Sequence, residues 1–299
     1  MNIPHIDYFG LKDEPFSTSP NPRFLYISPT HNIALEKTKW TIAARRGLAI
    51  CFGVPGTGKT TLVRDLATRL EDDTTVSYVA ITNPNFPTAN QLLRAIIQEF
   101  EVGKTSKNYL ELLNIFKEYL AEQAIKQNKN LVLIIDEAQT LKPPLLEMLR
   151  QLMNYESNDQ KFLQVVLFAQ EDFRKRLQHP RYTNLVNRVA MSSSIEPLSL
   201  SQTAAMLKYR WMIAGGQETT FPFTDDAIEQ LFTYSKGIPR TQIILADNAL
   251  LAAYLLQLRT VSADLIHQVV KDRGLPDAQP EPEPQSIKRN VRSEGGKTI

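Results

Sequence analysis

At 299 residues, 42% of them hydrophobic, the chain is long enough to bury a sizeable core and to divide into a larger and a smaller domain. Its 34 Lys and Arg against 32 Asp and Glu leave a formal charge of +2, which excludes a global polyanion-binding signature but not a local basic face. One cysteine, Cys51, excludes an internal disulfide framework, and no apolar run approaches membrane-spanning length.

The chain opens with MNIPHIDYFG, which has no basic-then-apolar leader, so a cytoplasmic protein without direct membrane insertion is expected. Residues 1–27 mix prolines with large aromatics and show neither a helical nor a strand period. Such a segment is expected to pack across a domain surface. Ser28-Pro29 then signals a helix start by the N-cap and first-turn-proline rule, running to about Arg46.

Leu48 to Phe52 reads as a buried strand with Cys51 inside it. It breaks into Gly53-Val54-Pro55-Gly56-Thr57-Gly58-Lys59-Thr60-Thr61, and a helix continues to Leu70. This is the G-x-x-x-x-G-K-[ST] phosphate loop in its proper strand-to-helix context. The glycines let the backbone curl until successive N–H groups face one anion, and the helix start adds its own unpaired donors. Lys59 supplies a mobile charge for the outer phosphates of ATP, and the Thr60 hydroxyl is a ligand for Mg²⁺.

A strand at Val76–Ile81 follows, then helices at about 88–100 and 107–127. Leu131–Ile135 is a continuous apolar strand that ends in Asp136-Glu137. A carboxylate at that strand end can hold Mg²⁺ through water, and the neighbouring Glu137 can polarise an attacking water. The separation of the two motifs leaves room for another strand between them. A helix at about 143–155, a strand at Leu163–Phe168, short basic helices over 171–188 and a weaker strand at Val189–Ile195 complete an alternating pattern. Apolar strands alternating with helices predict a parallel sheet covered on both faces. From Ser199 onward only helices are expected, at about 199–214, 224–235, 239–257 and 261–272. The Pro- and Glu-rich last 25 residues read as disordered.

GVPGTGKTT, LIIDEAQ, LQVVLFAQ and Gly237-Ile238-Pro239-Arg240 together resemble the AAA+ ATPases. The opening FGLKDEPFSTSPNPRFLYISPTH resembles, more narrowly, the ExeA-like group, which includes secretion-associated ATPases and lies near the transposition ATPases of the TnsC, TniB and MuB type. The resemblance spans roughly residues 8–272. It implies an α/β P-loop NTPase fold, with a parallel five-stranded sheet sandwiched by helices and a small all-helical C-terminal lid. The implied layout is an N-terminal segment (1–27) packed on the ATPase core, a nucleotide-binding domain (28–198), a lid (199–274) and a tail (275–299). It further implies that Gln170 is the polar sensor after the fourth strand and that Arg240 reaches from the lid to the phosphates. Arg188, with Arg181 as its competitor, corresponds to the arginine finger that completes a neighbouring subunit's site in a ring or filament.

Two roles follow from the resemblance. One is a DNA-transposition regulator that assembles on duplex DNA and recruits a transposase or target-selector protein. The other is an accessory ATPase of a secretion or pilus system. The first is preferred, because the chain ends in a short polar tail where secretion relatives carry a membrane span and a periplasmic region. By analogy with the transposition ATPases, Asn90, Lys104, Thr105 and Lys107 are the expected contacts to DNA phosphates. Arg174, Lys175 and Arg176 form a second basic cluster.

Overall fold

The computed structural model describes residues 4–19, 21–157 and 160–274. A short helix, α1 (Pro4–Tyr8), and an irregular segment closing in a tight turn at Pro22–Phe24 lead into α2 (Pro29–Ala43). The alternating part follows as β1 (Leu48–Gly53), α3 (Lys59–Glu71), β2 (Val76–Ile81), α4 (Ala89–Glu99), α5 (Tyr109–Ala121) and β3 (Asn130–Ile135). It continues through α6 (Pro143–Leu152), β4 (Leu163–Ala169), α7 (Glu171–Leu177), α8 (Thr183–Val186) and β5 (Val189–Ile195). Four further helices are α9 (Leu200–Ile213), α10 (Asp225–Ser235), α11 (Pro239–Leu255) and α12 (Ala263–Asp272).

The five strands form one parallel sheet in the order β2-β3-β4-β1-β5. β4 therefore lies between the strand that feeds the phosphate loop and the strand that ends in Asp136. β1, β3 and β4 are buried along their whole lengths, as parallel strands covered on both faces must be. Successive side chains go to opposite faces. Ile50, Leu133 and Leu167 share one core with Leu93 of α4, Phe116 of α5 and Leu149 of α6. Cys51, Val132 and Val166 share the other with Leu35 of α2 and Leu62 and Leu66 of α3. β5 is an edge strand and only half-buried, with Lys37 of α2 donating to the Ser192 carbonyl.

The helices after β5 surround a third core that includes Trp211, Leu231, Leu245 and Ile266. Ile6, Leu11, Phe16 and Phe24 belong to this same core. The N-terminal segment, expected on the ATPase core, bridges the two parts, and most of its buried apolar side chains lie in the helical one. The Pro22–Phe24 turn touches α3 as well as α9, and Ser17, Leu25 and Tyr26 line one cavity with the phosphate loop, while Ile6, Leu11, Phe16 and Phe24 go into the helical core. The physical reason is Arg210 of α9. Its buried guanidinium donates to the carbonyls of Pro15, Ser17 and Phe24 at 2.7, 2.8 and 2.9 Å. An extended, proline-rich segment has few local partners for its carbonyls, and one arginine fork satisfies three of them. The helix expected over 107–127 ends as α5 at Ala121 and widens into a π-type turn at Glu122–Lys126. The tail at 275–299 lies outside the described residues.

Candidate nucleotide site

The phosphate loop takes the conformation its glycines permit. Gly56 and Gly58 sit at φ +85° and +101°, where a side chain is strained. Space excludes a side chain as well: a Cβ on Gly53 would lie 2.9 Å from Thr57 Oγ1, and one on Gly56 would lie 2.9 Å from Ile238 Cγ2. Lys59 is only 5% exposed, and its ammonium donates to the carbonyls of Gly53 and Val54 at 2.8 and 3.0 Å. Burial lowers its pKa, and the charges of Glu137 and Asp136 oppose that shift. Pro55, Gly56, Thr57, Gly58, Lys59, Thr60 and Thr61 all line one cavity of about 500 Å³.

β3 delivers the acids to the same place. Asp136 is buried, and its N–H donates to the Ile81 carbonyl at the end of β2. The Thr60 hydroxyl donates to Asp136 Oδ2 at 2.6 Å, joining the two motifs directly. Burial raises the Asp136 pKa, while bonds from Thr60 and from the Glu137 N–H pull it back. A hydroxyl and a carboxylate side by side are the hard oxygen donors that Mg²⁺ takes, and this pair fits that ion. Among the described residues no group of three or more His, Cys, Asp or Glu could hold a metal ion. The remaining ligands would therefore come from phosphate and water.

Glu137 has a left-handed backbone, φ +52° and ψ +35°, and lines the cavity. Its carboxylate accepts from Gln139 Nε2 and from Gln170 Nε2, the latter at 3.3 Å. Gln139 Oε1 in turn accepts from the Gln170 N–H at 3.1 Å. Gln170, expected as the polar sensor after the fourth strand, lies beside Glu137, and Gln139 is a member of the site that the sequence reading missed.

The remaining walls come from distant segments. Arg240 lines the cavity, and its N–H donates to the Gly56 carbonyl at 3.2 Å, so the start of α11 rests on the phosphate loop. Leu25, Tyr26, Leu198, Met206 and Ile243 supply an apolar side suited to a flat base. His31, also missed by the sequence reading, is 2% exposed and its Nε2 lies 2.8 Å from the Thr57 carbonyl.

Other residues singled out from sequence lie elsewhere. Arg188 does not reach this cavity. It lines a second one, of about 710 Å³, with Arg46, Arg150 and Lys161 near the N-terminal ends of β1 and β5. Arg181 is exposed and stacks on Tyr182. Lys104, Thr105 and Lys107 are exposed in the α4–α5 connection, which folds back until Asn90 Nδ2 donates to the Lys107 carbonyl at 3.2 Å. Arg94 supports that loop through the Ser106 carbonyl. The basic cluster at 174–176 is largely structural. Arg174 lies over the Phe52 ring and bonds Ser194, while Arg176 donates to the carbonyls of Gln139 and Leu141.

A glycine-rich turn carrying Lys and Thr, tied to a carboxylate at the end of a second buried strand, defines a P-loop nucleoside triphosphatase. Residues 42–177 match the family model described as an AAA domain. The chain carries a P-loop ATPase domain of the AAA+ family. It is 36% identical over 251 residues to General secretion pathway protein A of Aeromonas hydrophila. That match covers 84% of this chain but 45% of the relative, so the chain spans about half the length of that protein. Among solved structures, Cdc6p from Pyrobaculum aerophilum superimposes with a TM-score of 0.65 at 18% identity, covering 88% of this chain and 71% of that one. The Drosophila ORC bound to DNA gives 0.64 at 19%, covering 88% and 65%. At such identities these two structures establish the fold alone. Among the described residues no helix is long and apolar enough to cross a membrane.

Proposed function

We propose that this chain is a cytoplasmic ATPase that works as a homo-oligomer, a ring or filament in which each subunit completes its neighbour's site. The observation that carries the proposal is the Thr60–Asp136 bond, with Glu137 facing the phosphate loop across one cavity. In this reading the curled loop and Lys59 hold the β- and γ-phosphates of ATP, and Thr60 and Asp136 would hold Mg²⁺. When bound, the ion neutralises charge on the phosphate oxygens.

Glu137 accepts a proton from the attacking water as the water oxygen bonds to the γ-phosphorus. The bond from that phosphorus to the β–γ bridging oxygen breaks, leaving ADP and phosphate. Gln170 and Gln139 keep the Glu137 carboxylate aimed, and Arg240 brings positive charge from the helical part. Arg188, remote from its own cavity, supplies charge to the γ-phosphoryl bound by the next subunit, so turnover depends on assembly. The test is ATP binding and hydrolysis by Lys59→Ala and Glu137→Gln. The first should abolish binding, and the second should bind ATP and stop. A Glu137→Gln protein turning over at the parent rate would refute the assignment.

Similarity to General secretion pathway protein A over most of this chain supports a role as the accessory ATPase of a secretion or pilus system. The transposition reading rested on where the chain ends, and that argument has no force for a chain spanning about half of its relative. A DNA-assembling role, with a transposase or target-selector as partner, stays as the second reading. It draws on the exposed Lys104 and Lys107, gathered with Thr105 beside Asn90, and on a fold shared with an ORC bound to DNA. ATP-dependent binding to duplex DNA that weakens steeply with salt would favour it. No DNA association at low salt would leave the secretion role.

A further inference from the structure

His31 sits on the first turn of α2, remote in sequence from the phosphate loop, yet its ring is packed against that loop. Its Nε2 lies 2.8 Å from the Thr57 carbonyl oxygen, and its Nδ1 lies 2.6 Å from Ser28 Oγ. A carbonyl can only accept, so Nε2 carries the proton and Nδ1 accepts from the Ser28 hydroxyl. Thr30 Oγ1, 3.0 Å from Ser28 Oγ, can donate to it in turn. His31 is 2% exposed, and burial lowers its pKa, favouring the neutral ring, while the hydrogen bond to Thr57 acts in the opposite direction. Thr57 is itself 1% exposed, and its side chain is committed to the Val54 carbonyl at 2.9 Å.

Peptide planarity turns this contact into a constraint on the site. In a trans peptide the C=O and the following N–H point in opposite directions. A hydrogen bond that holds the Thr57 carbonyl toward His31 therefore fixes the direction of the Gly58 N–H, on the side of the peptide away from the ring. Gly58 is at φ +101°, a conformation with no side chain to stabilise it. A Cβ there would lie 3.0 Å from His31 Nε2, so glycine and histidine are matched to one another. Without a partner for its carbonyl, this peptide would be free to rotate, and the phosphates would lose a pre-aimed donor.

We propose that His31 is a positioning residue for phosphate binding, fixing the Thr57–Gly58 peptide through its Nε2–H donor. The inference rests on the nucleotide-binding reading above. It assigns His31 no contact with the reacting atoms.

The test measures ATP, ADP and adenosine affinities for the parent, Lys59→Ala, His31→Phe, His31→Ala and His31→Gln, with melting temperatures alongside. Gln can place an N–H near the position of Nε2, whereas Phe keeps ring volume and loses the donor. His31→Phe and His31→Ala should weaken ATP and ADP by about tenfold, the scale of one well-placed hydrogen bond. Adenosine affinity should be unchanged, and His31→Gln should return to within about threefold of the parent. Equal loss for adenosine would indicate general loosening and overturn the proposal. Parent-like ATP binding by the Phe variant would overturn it too, as would a Gln variant that is unfolded or no better than Phe. A parent protein that fails to bind ATP would instead sink the nucleotide reading, and this inference with it. Binding by the parent but not by Lys59→Ala, with His31 indifferent, would sink this inference alone.

Discussion

Glu137 occupies a backbone region that a non-glycine residue adopts at a cost of about 1 kcal/mol, and it does so just after a strand buried along its whole length. The turn sends its carboxylate back over the phosphate loop, where Gln139 and Gln170 hold it. Replacing Glu137 by Gln keeps the shape and removes the base. Turnover should fall at least about a hundredfold while ATP affinity stays close to the parent value. Gln139→Ala should lower kcat by about tenfold with KM little changed, since it loosens the base without touching the phosphate cradle. Steady-state kinetics on the two variants separates these effects, and a Gln139→Ala loss confined to KM would count against this placement. Cys51 offers an independent check on the buried sheet. Burial raises its thiol to about 11, above the value of about 8.5 in an unfolded chain. The folded protein then holds the proton while the unfolded chain loses it, so this contribution is intact below pH ~8.5. It is eroded as pH rises toward 11. Denaturant titrations across that window should show a falling stability that flattens in Cys51→Ala.

At the scale of elements, the N-terminal segment and α9 act as one body because Arg210 joins them. Arg210→Ala strands three carbonyls and should cost roughly 3–5 kcal/mol. Lys should not rescue it, because an ammonium cannot reproduce the planar fork. A lower melting temperature and early proteolysis within residues 9–24 are the expected signs, and an unshifted melting curve would contradict this account. The contrast with the phosphate loop explains what the sequence could reveal. Gly53 to Thr61 is contiguous, so spacing alone specifies the cradle, and the apolar run into Asp136 is as local. The parallel sheet was legible too, because β1, β3 and β4 are predominantly apolar and separated by helices. His31, Gln139, Arg176 and Arg210 work through carbonyls or amides of residues far along the chain or across a turn. No periodicity marks a side chain that serves a distant backbone group. The share of the N-terminal segment that enters the helical part was hidden for the same reason: its composition says that it packs, and Arg210 and the helical core say where.

For the whole molecule, the central claim is that the site is completed between subunits. Arg188 lies in a separate basic cavity beside Arg46, Arg150 and Lys161, where burial first and then the charge of Arg188 lower the Lys161 pKa. A cavity of that charge on one subunit is suited to the phosphates presented by another. Turnover per subunit should therefore rise with protein concentration, and Arg188→Ala should remove the rise while sparing ATP affinity. The most direct test mixes two inactive proteins. Arg188→Ala keeps an intact cradle and base but lacks the trans charge, whereas Glu137→Gln keeps Arg188 but cannot hydrolyse. If each subunit's Arg188 serves its neighbour, the mixture should hydrolyse ATP at a substantial fraction of the parent rate, although neither protein does so alone. A mixture as inactive as its components, or an Arg188→Ala protein as active as the parent, would contradict the account.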